Sequence, residues 1–541
     1  MKGRTISKAR DMKKNVCEKL AAAVLLAATT MPAMAGGYLT NTNQSVSFLR
    51  NPSQDAAIGI SSLYNNPAGS AFMAPGFHMS IGIMNVKQTR DVTTTYAPFA
   101  LGAYNGGETT KKFGGEASAP ILPSLQFAYN TPDNQWSFSF DFGLIGGGGK
   151  CQYDNGLPSF ESAVAALSMI TNVVSQGKFA NSQGRPSYKY DTFMRGRSYQ
   201  YGFQFGAAKR FTDKVSIYGG LRLLYVTNNY FGYVKNIRFQ NSDDVYYTGR
   251  EYMETQHNYL KAITDAGYMD AGTANGLHAQ IDQLGFKLSD MAGNIGLNCN
   301  QDGWGLTPII GVDWKLNDHW NFAVKYEFQT KIRLKNESYN ENTEGHGLEK
   351  YENEQKIAED VPAILTVGAM YSPIRQVRLN GGFHYYWDKQ ATKYGDENKK
   401  LSGGTWEVTA GAEWDFMENW TVSAGWQMTH YPNTDEYMRD ISFATNSNTF
   451  GFGVKWQINK TVAVEAAYFQ TIYNTYERTQ ADYGNLAATA VKSLGYTLPE
   501  GVSAPQALAA QGLIPNAEYL SGTDRFDRTN RVFGVGVTLD F

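Results

Sequence analysis

Apolar and polar residues alternate with a period of two through much of this chain. The C-terminus shows it most clearly. From Arg531 to Phe541, the residues Phe533, Val535, Val537, Leu539 and Phe541 fall on one face, and Val532, Gly534, Gly536, Thr538 and Asp540 on the other. The same pattern follows short polar turns. Residues 131–135 precede Trp136, Phe138, Phe140, Phe142 and Leu144; 316–319 precede Trp320, Phe322, Val324, Tyr326 and Phe328; 417–419 precede Trp420, Val422, Ala424, Trp426 and Met428; and Asn459-Lys460 precede Val462, Val464, Ala466 and Tyr468. The opposite faces carry Asp141, Asn321, Lys325, Glu327, Ser423, Gln427 and Glu465. Such alternation marks half-buried strands whose polar face meets water or a satisfied interior. Strands this long, greasy on one face only, suit the wall of a membrane barrel.

The pattern predicts fourteen strands, near 77–90, 119–129, 136–147, 194–210, 214–240, 303–316, 319–336, 361–372, 376–387, 404–416, 419–431, 447–457, 461–473 and 529–541. An even number is what a single-chain antiparallel barrel requires, and the links alternate between short and long as periplasmic turns and outer loops do. Both chain ends then face the periplasm. Trp136, Trp320 and Trp420 follow short turns, where an aromatic girdle belongs. The alternative, a soluble sandwich, has strands of about 5–6 residues as its mode. Three long loops carry helical patterns: 160–174 with Ser159 as its cap, 251–293, and 484–513. The expected fold is therefore all-β: a 14-stranded antiparallel transmembrane barrel over 77–541 with partly helical outer loops.

Composition narrows this further. Among 541 residues 13% are aromatic and 18% charged, with 55 Gly and 34 Tyr. Beyond the N-terminus no apolar run reaches the length of a membrane helix. A barrel escapes hydropathy because only alternate residues meet lipid. The net charge of −2 gives no sign of nucleic-acid binding. Residues 1–35 read as a secretory signal: Lys13, Lys14 and Lys19 precede the apolar stretch Leu20 to Ala28, and Ala33-Met34-Ala35 offers a cleavage site before Gly36. Met12 is an alternative start. Cys151 and Cys299 are expected in long loops on one side of the membrane, either bridged or free.

Residues 36–76 do not alternate, yet Phe48, Ile58, Ile60, Leu63, Tyr64, Phe72 and Met73 make them too apolar for a disordered tail. A plug in the lumen accommodates both facts, because irregular backbone at membrane depth is tolerated only inside protein. Within this segment stands Tyr64-Asn65-Asn66-Pro67-Ala68-Gly69, then Phe72 and the strand opening Gly76-Phe77-His78-Met79-Ser80. Further on comes Asn236-Ile237-Arg238-Phe239. On these residues the chain resembles the FadL family of outer-membrane long-chain fatty acid transporters, which includes TodX-type aromatic hydrocarbon channels. Asn66, Pro67, Ala68 and Gly69 match the family's plug motif. Pro67 fixes its own φ and restricts Asn66, while Gly69 is free to take positive φ.

The resemblance implies binding in an apolar groove among the outer loops, then in an inner pocket by the plug. It implies lateral release through a gap at a kinked third strand. Gly143, Gly146 and Gly147 are the candidates for that kink, since glycine in a strand marks bends. Phe48, Phe72 and Met73 are the plug residues expected to meet cargo. By parity Ile217, Leu221, Leu223 and Tyr225 face lipid, so Arg222 and Arg238 should point inward, where a guanidinium can pair with a carboxylate. For Arg222 the competing role is a salt bridge to Glu407 or Glu465.

Other chemistry is weak. Gly146–Lys150 fails the P-loop spacing, no G-x-S-x-G or H-E-x-x-H occurs, and Asp154-Asn155-Gly156 lacks the rest of a calcium loop. No cofactor, metal or catalytic residue is expected. The expected function is a passive, monomeric outer-membrane channel for long-chain fatty acids, with aromatic hydrocarbons or other apolar solutes as the alternative. A hydrophilic porin and a barrel phospholipase are the competing classes. The expected partners are outer-membrane lipids and, through Phe541, the barrel-assembly machinery.

Overall fold

In the computed structural model, fourteen antiparallel strands hydrogen-bond in chain order and the last closes on the first. The structure describes residues 40–175, 177–342, 348–493 and 497–541; the expected signal at 1–35 lies outside them. The strands are β1 Gly76–Tyr96, β2 Thr110–Asn130, β3 Trp136–Tyr153, β4 Tyr188–Arg210, β5 Val215–Gln240 and β6 Ile295–Lys315. Next come β7 in two pieces (Trp320–Glu327 and Arg333–Ser338) and β8 in two (Lys356–Ala358 and Ile364–Ile374). Then follow β9 Val377–Tyr386, β10 Trp406–Met417, β11 Trp420–His430, β12 Ser447–Gln457, β13 (Val462–Tyr473 and Tyr476–Gln480) and β14 Gly522–Asp540. Closure runs from His78 opposite Asp540 to Tyr96 opposite Gly522.

The wall is greasy outside and polar inside. Ile81, Ile83, Leu221, Leu223, Phe450, Phe452, Phe533 and Val535 are exposed, while Asp141, Arg222, Lys325, Glu327, Glu407 and Glu465 are buried. A soluble fold arranges these classes the other way; lipid on the outside reverses them. Trp136, Trp320, Trp420 and Trp456 are exposed at the short-turn end, and the last two stack at 5.5 Å. Among the described residues no helix is long and apolar enough to cross a membrane.

Several strands run well past their expected ends. β1, β2, β4, β6 and β14 continue outward to Tyr96, Thr110, Tyr188, Ile295 and Gly522. Above Ile83 the outer face of β1 becomes Lys87, Thr89, Asp91, Thr93 and Thr95. The ladder continues there, but the hydrophobic signal stops where lipid stops. Cys151 and Cys299 consequently sit on strands, not in loops, and both are free and buried.

The outer loops fold into a cap over the mouth. Helix α2, Pro158–Val174, is buried along Ala163, Val164, Ala165, Ala166 and Leu167, packed against Tyr96, Phe113 and Tyr153. (The plug contributes α1, Val46–Arg50.) Ser159 is not the cap of α2. The helix begins at Pro158, a favoured first position, and the Ser159 N–H donates to Asp440 at 2.8 Å. The expected helical stretch 251–293 is a hairpin, α3 Gly249–Asp265 and α4 Ala271–Met291; 484–513 holds α5 Leu486–Ser493 and α6 Ala504–Ala510.

Candidate binding site at a break in the wall

β2 and β3 cannot complete a ladder, for reasons visible in their residues. β2 carries Pro120 and Pro123, and proline donates no ladder hydrogen bond. β3 carries Gly143 and the run Gly146–Gly149. Pairing between them stops at Ser118–Lys150 and resumes only at Leu125–Phe142. On its other side β3 shifts register against β4 twice, between Leu144 and Gly149. Gly147 and Gly149 take φ of +84° and +76°, a region that disfavours other residues. Consecutive residues Leu144 and Ile145 are both buried, which a regular strand forbids. The third strand is thus irregular along its glycine run, and the β2–β3 ladder is unpaired between residues 119–124 and 143–149.

The plug closes the inner side of this opening. Residues 40–75 lie inside the barrel, and Asn41 and Gln44 use the backbone groups that the kink frees. The Asn41 N–H donates to the Ile145 carbonyl at 2.7 Å. Asn41 Nδ2 and Gln44 Nε2 donate to the Leu144 carbonyl at 3.2 and 2.9 Å. Gly143 faces Gln44, and a Cβ there would stand 2.2 Å from Gln44 Oε1. Ser45 caps α1 by accepting the Phe48 N–H at 3.2 Å. Ser45→Ala should loosen this helix by about 1 kcal/mol, seen as faster amide exchange at Phe48 with no change in the barrel strands.

Beside the opening is an apolar cluster. Val46, Phe48 and Leu49 of α1 pack against Met84 and Val86 of β1, Ala119 and Leu122 of β2, and Leu144 of β3, closed by Phe469 and Val532. Phe48 and Phe469 are 6.0 Å apart between ring centroids. The other two expected plug contacts lie elsewhere. Met73 packs with Ile60, Leu63 and Ala128, and Phe72 lies under the Arg210 guanidinium, both toward the periplasm. Only Phe48 is at the opening. Below the plug, a polar cavity of about 670 Å³ is lined by Arg50, Arg378, Glu413, Asp415 and Lys455.

The plug motif forms a compact anchor. Asn66 caps the turn Pro67–Phe72 by accepting the Gly69 N–H at 3.1 Å, and its amide donates to Asp313 of β6. Ala68 packs on Ala208, Tyr218 and Ile309, while its carbonyl accepts from Ser216 at 2.6 Å. Gly69 does not adopt positive φ as expected. Space is tight there instead: a Cβ would stand 2.5 Å from Asn66 Nδ2, so a larger residue would have to displace the amide that holds Asp313.

Arg222 points inward and is buried, as parity predicts, but is fully engaged. It forms an ion pair with Glu327, donates to Gln204 at 2.6 Å and sits 4.7 Å over the Tyr64 ring. Lys325 joins the cluster, donating to Glu327 and to the Tyr64 carbonyl, each at 2.6 Å. The foreseen partners are used by others. Glu465 pairs with Arg50 at 2.9 Å, and Glu407 accepts from His384, Tyr386, Gln427 and Thr429. Arg222 therefore ties the plug to β4 and β7 through Gln204, Glu327 and the Tyr64 ring.

Arg238 departs from expectation altogether. Asn236 takes φ of +53°, and pairing slips between Lys189 and Asp191. This bulge shifts the alternation by one residue. Ile237 and Phe239 turn inward, while Arg238 is half-exposed and paired with Glu251 at 2.9 Å.

No protein-family model matches the chain, and no curated protein matches it in sequence. In fold it is similar to solved channels. The crystal structure of a Pseudomonas aeruginosa FadL homologue superposes with a TM-score of 0.54 at 12% identity, over 94% of this chain and 100% of that one. The deltaS2S3 mutant of the TodX monoaromatic hydrocarbon channel gives 0.51 at 11% identity, over 92% and 99%. The fold is that of these channels, as the resemblance in the plug motif implied.

Proposed function

We propose that this chain is a member of the FadL family in a bacterial outer membrane. It takes up hydrophobic molecules, long-chain fatty acids foremost, by passive diffusion. Cargo enters from the outer mouth, reaches the apolar cluster at Phe48 and leaves sideways between β2 and β3 when the plug withdraws. The observation that carries this reading is a single juxtaposition: an unpaired stretch of wall beside an apolar cluster, stoppered by Asn41 and Gln44. A hydrophilic pore would need a wet path through the lumen. Here the plug fills it, and Arg222, Glu407 and His384 are each at or below 1% exposure.

Aromatic hydrocarbons are the second reading, favoured by the neutral lining of the Phe48 cluster. Uptake of labelled oleate and toluene by cells lacking their own channel separates the two. Oleate uptake that depends on this protein is expected. Ohmic conductance to small ions in planar bilayers, with neither cargo taken up, would overturn the channel reading.

A further inference from the structure

Two arginines face each other inside the barrel above the Phe48 cluster. Arg90 of β1 and Arg528 of β14 are register partners across the closing seam and are 1% and 4% exposed. Two of the Arg90 guanidinium nitrogens, Nε and Nη2, have no hydrogen-bond partner. Arg528 is held more firmly: Nη2 donates to Gln88 at 3.1 Å and its guanidinium lies 4.7 Å over the Tyr473 ring. The nearby acids are committed. Asp524 accepts from Thr94 at 2.6 Å, Arg478 at 2.5 Å and Tyr483 at 2.6 Å, and Asp440 accepts the Ser159 N–H.

A buried guanidinium with free donors is costly unless something anionic pairs with it. A second buried cation beside it, Arg528, adds repulsion, which an anion at Arg90 would relieve. Guanidinium donors also match the two oxygens of a carboxylate. Position supplies the rest. Going down the seam, Gln88 faces Asn530 and then Val86 faces Val532, where the Phe48 cluster begins. Four residues of strand span about 13 Å, so an acyl tail descending from Arg90 would run into that cluster and toward the opening at Leu122 and Leu144.

We propose that Arg90, assisted by Arg528, is the head-group subsite of the channel and selects cargo carrying a carboxylate. The proposal rests on the channel reading above. It places the recognition of charge on the β1–β14 seam, away from both Arg222 and Arg238.

The test is the affinity of the purified, detergent-solubilised protein for dodecanoate and dodecanol, compared in wild type, Arg90→Met and Arg90→Lys. Arg90→Met should weaken dodecanoate binding roughly 10- to 100-fold and leave dodecanol unchanged; Arg90→Lys should recover part of the loss. Equal weakening of both ligands, or of neither, overturns the subsite. If Arg90→Met fails to form a heat-modifiable barrel, Arg90→Lys decides: an unchanged acid-to-alcohol ratio overturns the proposal. Wild type binding neither ligand defeats the channel reading itself, a result distinct from an insensitive Arg90.

Discussion

Glu327→Ala is expected to destabilise the barrel by about 3–5 kcal/mol, because it strips the counter-charge from two buried cations at once. Arg222 and Lys325 both close on this carboxylate, and both grip Tyr64 of the plug. Without it their charges repel in a site nearly free of water, and the plug loses its hold on β5 and β7. Two measurements check the outcome. The unfolding transition in detergent should move to lower denaturant, and residues 40–75 should become sensitive to protease before the wall does. Arg222→Met should cost less, since Lys325 still pairs with Glu327. Equal transitions for wild type and Glu327→Ala would mean that the cluster contributes no net stability.

Gly147→Val is expected to abolish uptake while the barrel still assembles. The position has φ of +84°, and a Cβ would lie 2.3 Å from the Ser198 carbonyl oxygen of β4. Valine costs about 1–3 kcal/mol in that conformation, and the collision is with backbone, which cannot swing aside. Relief requires straightening β3, which would bring residues 143–149 back toward β2. Labelled oleate uptake should fall to the level of cells without the protein. Gly177→Val is the control, because its Cβ would meet nothing within 4 Å. Full uptake by a Gly147→Val barrel would remove the side exit from the mechanism.

The architecture was legible because one period governs it. Alternation alone located the fourteen strands, the outward faces of β5 and β14, and the inward Lys325, Glu327 and Glu465. The glycines at 143–149 marked the stretch where the β3 pairing breaks and slips. Pro120 and Pro123 carried the matching half of that signal, lying inside a stretch read as ordinary strand; two prolines there already forbid a complete ladder.

What the sequence hid depends on register or on single dihedrals. Strand tops were cut short because the outer face of β1 turns to Lys87, Thr89 and Asp91 while pairing continues. Arg238 was misplaced because one residue, Asn236, adopts a left-handed backbone and reverses the parity after it. Arg222 was read inward, yet Glu327 reaches it from across β6, a partnership visible only once β5, β6 and β7 are laid side by side. Gly69 keeps an ordinary φ, and what favours glycine there is the Asn66 amide packed against it, a contact no sequence pattern reveals.

The long strands have a consequence for where capture happens. β5 has 26 residues, about 85 Å along the strand. At the usual tilt of a membrane barrel this stands roughly 65 Å tall, about twice the hydrocarbon thickness. The turret therefore projects far beyond the headgroups, and on the proposed channel reading it would meet greasy molecules while they are still in the aqueous layer outside the membrane. They would then descend within its walls, without crossing the charged carpet around it.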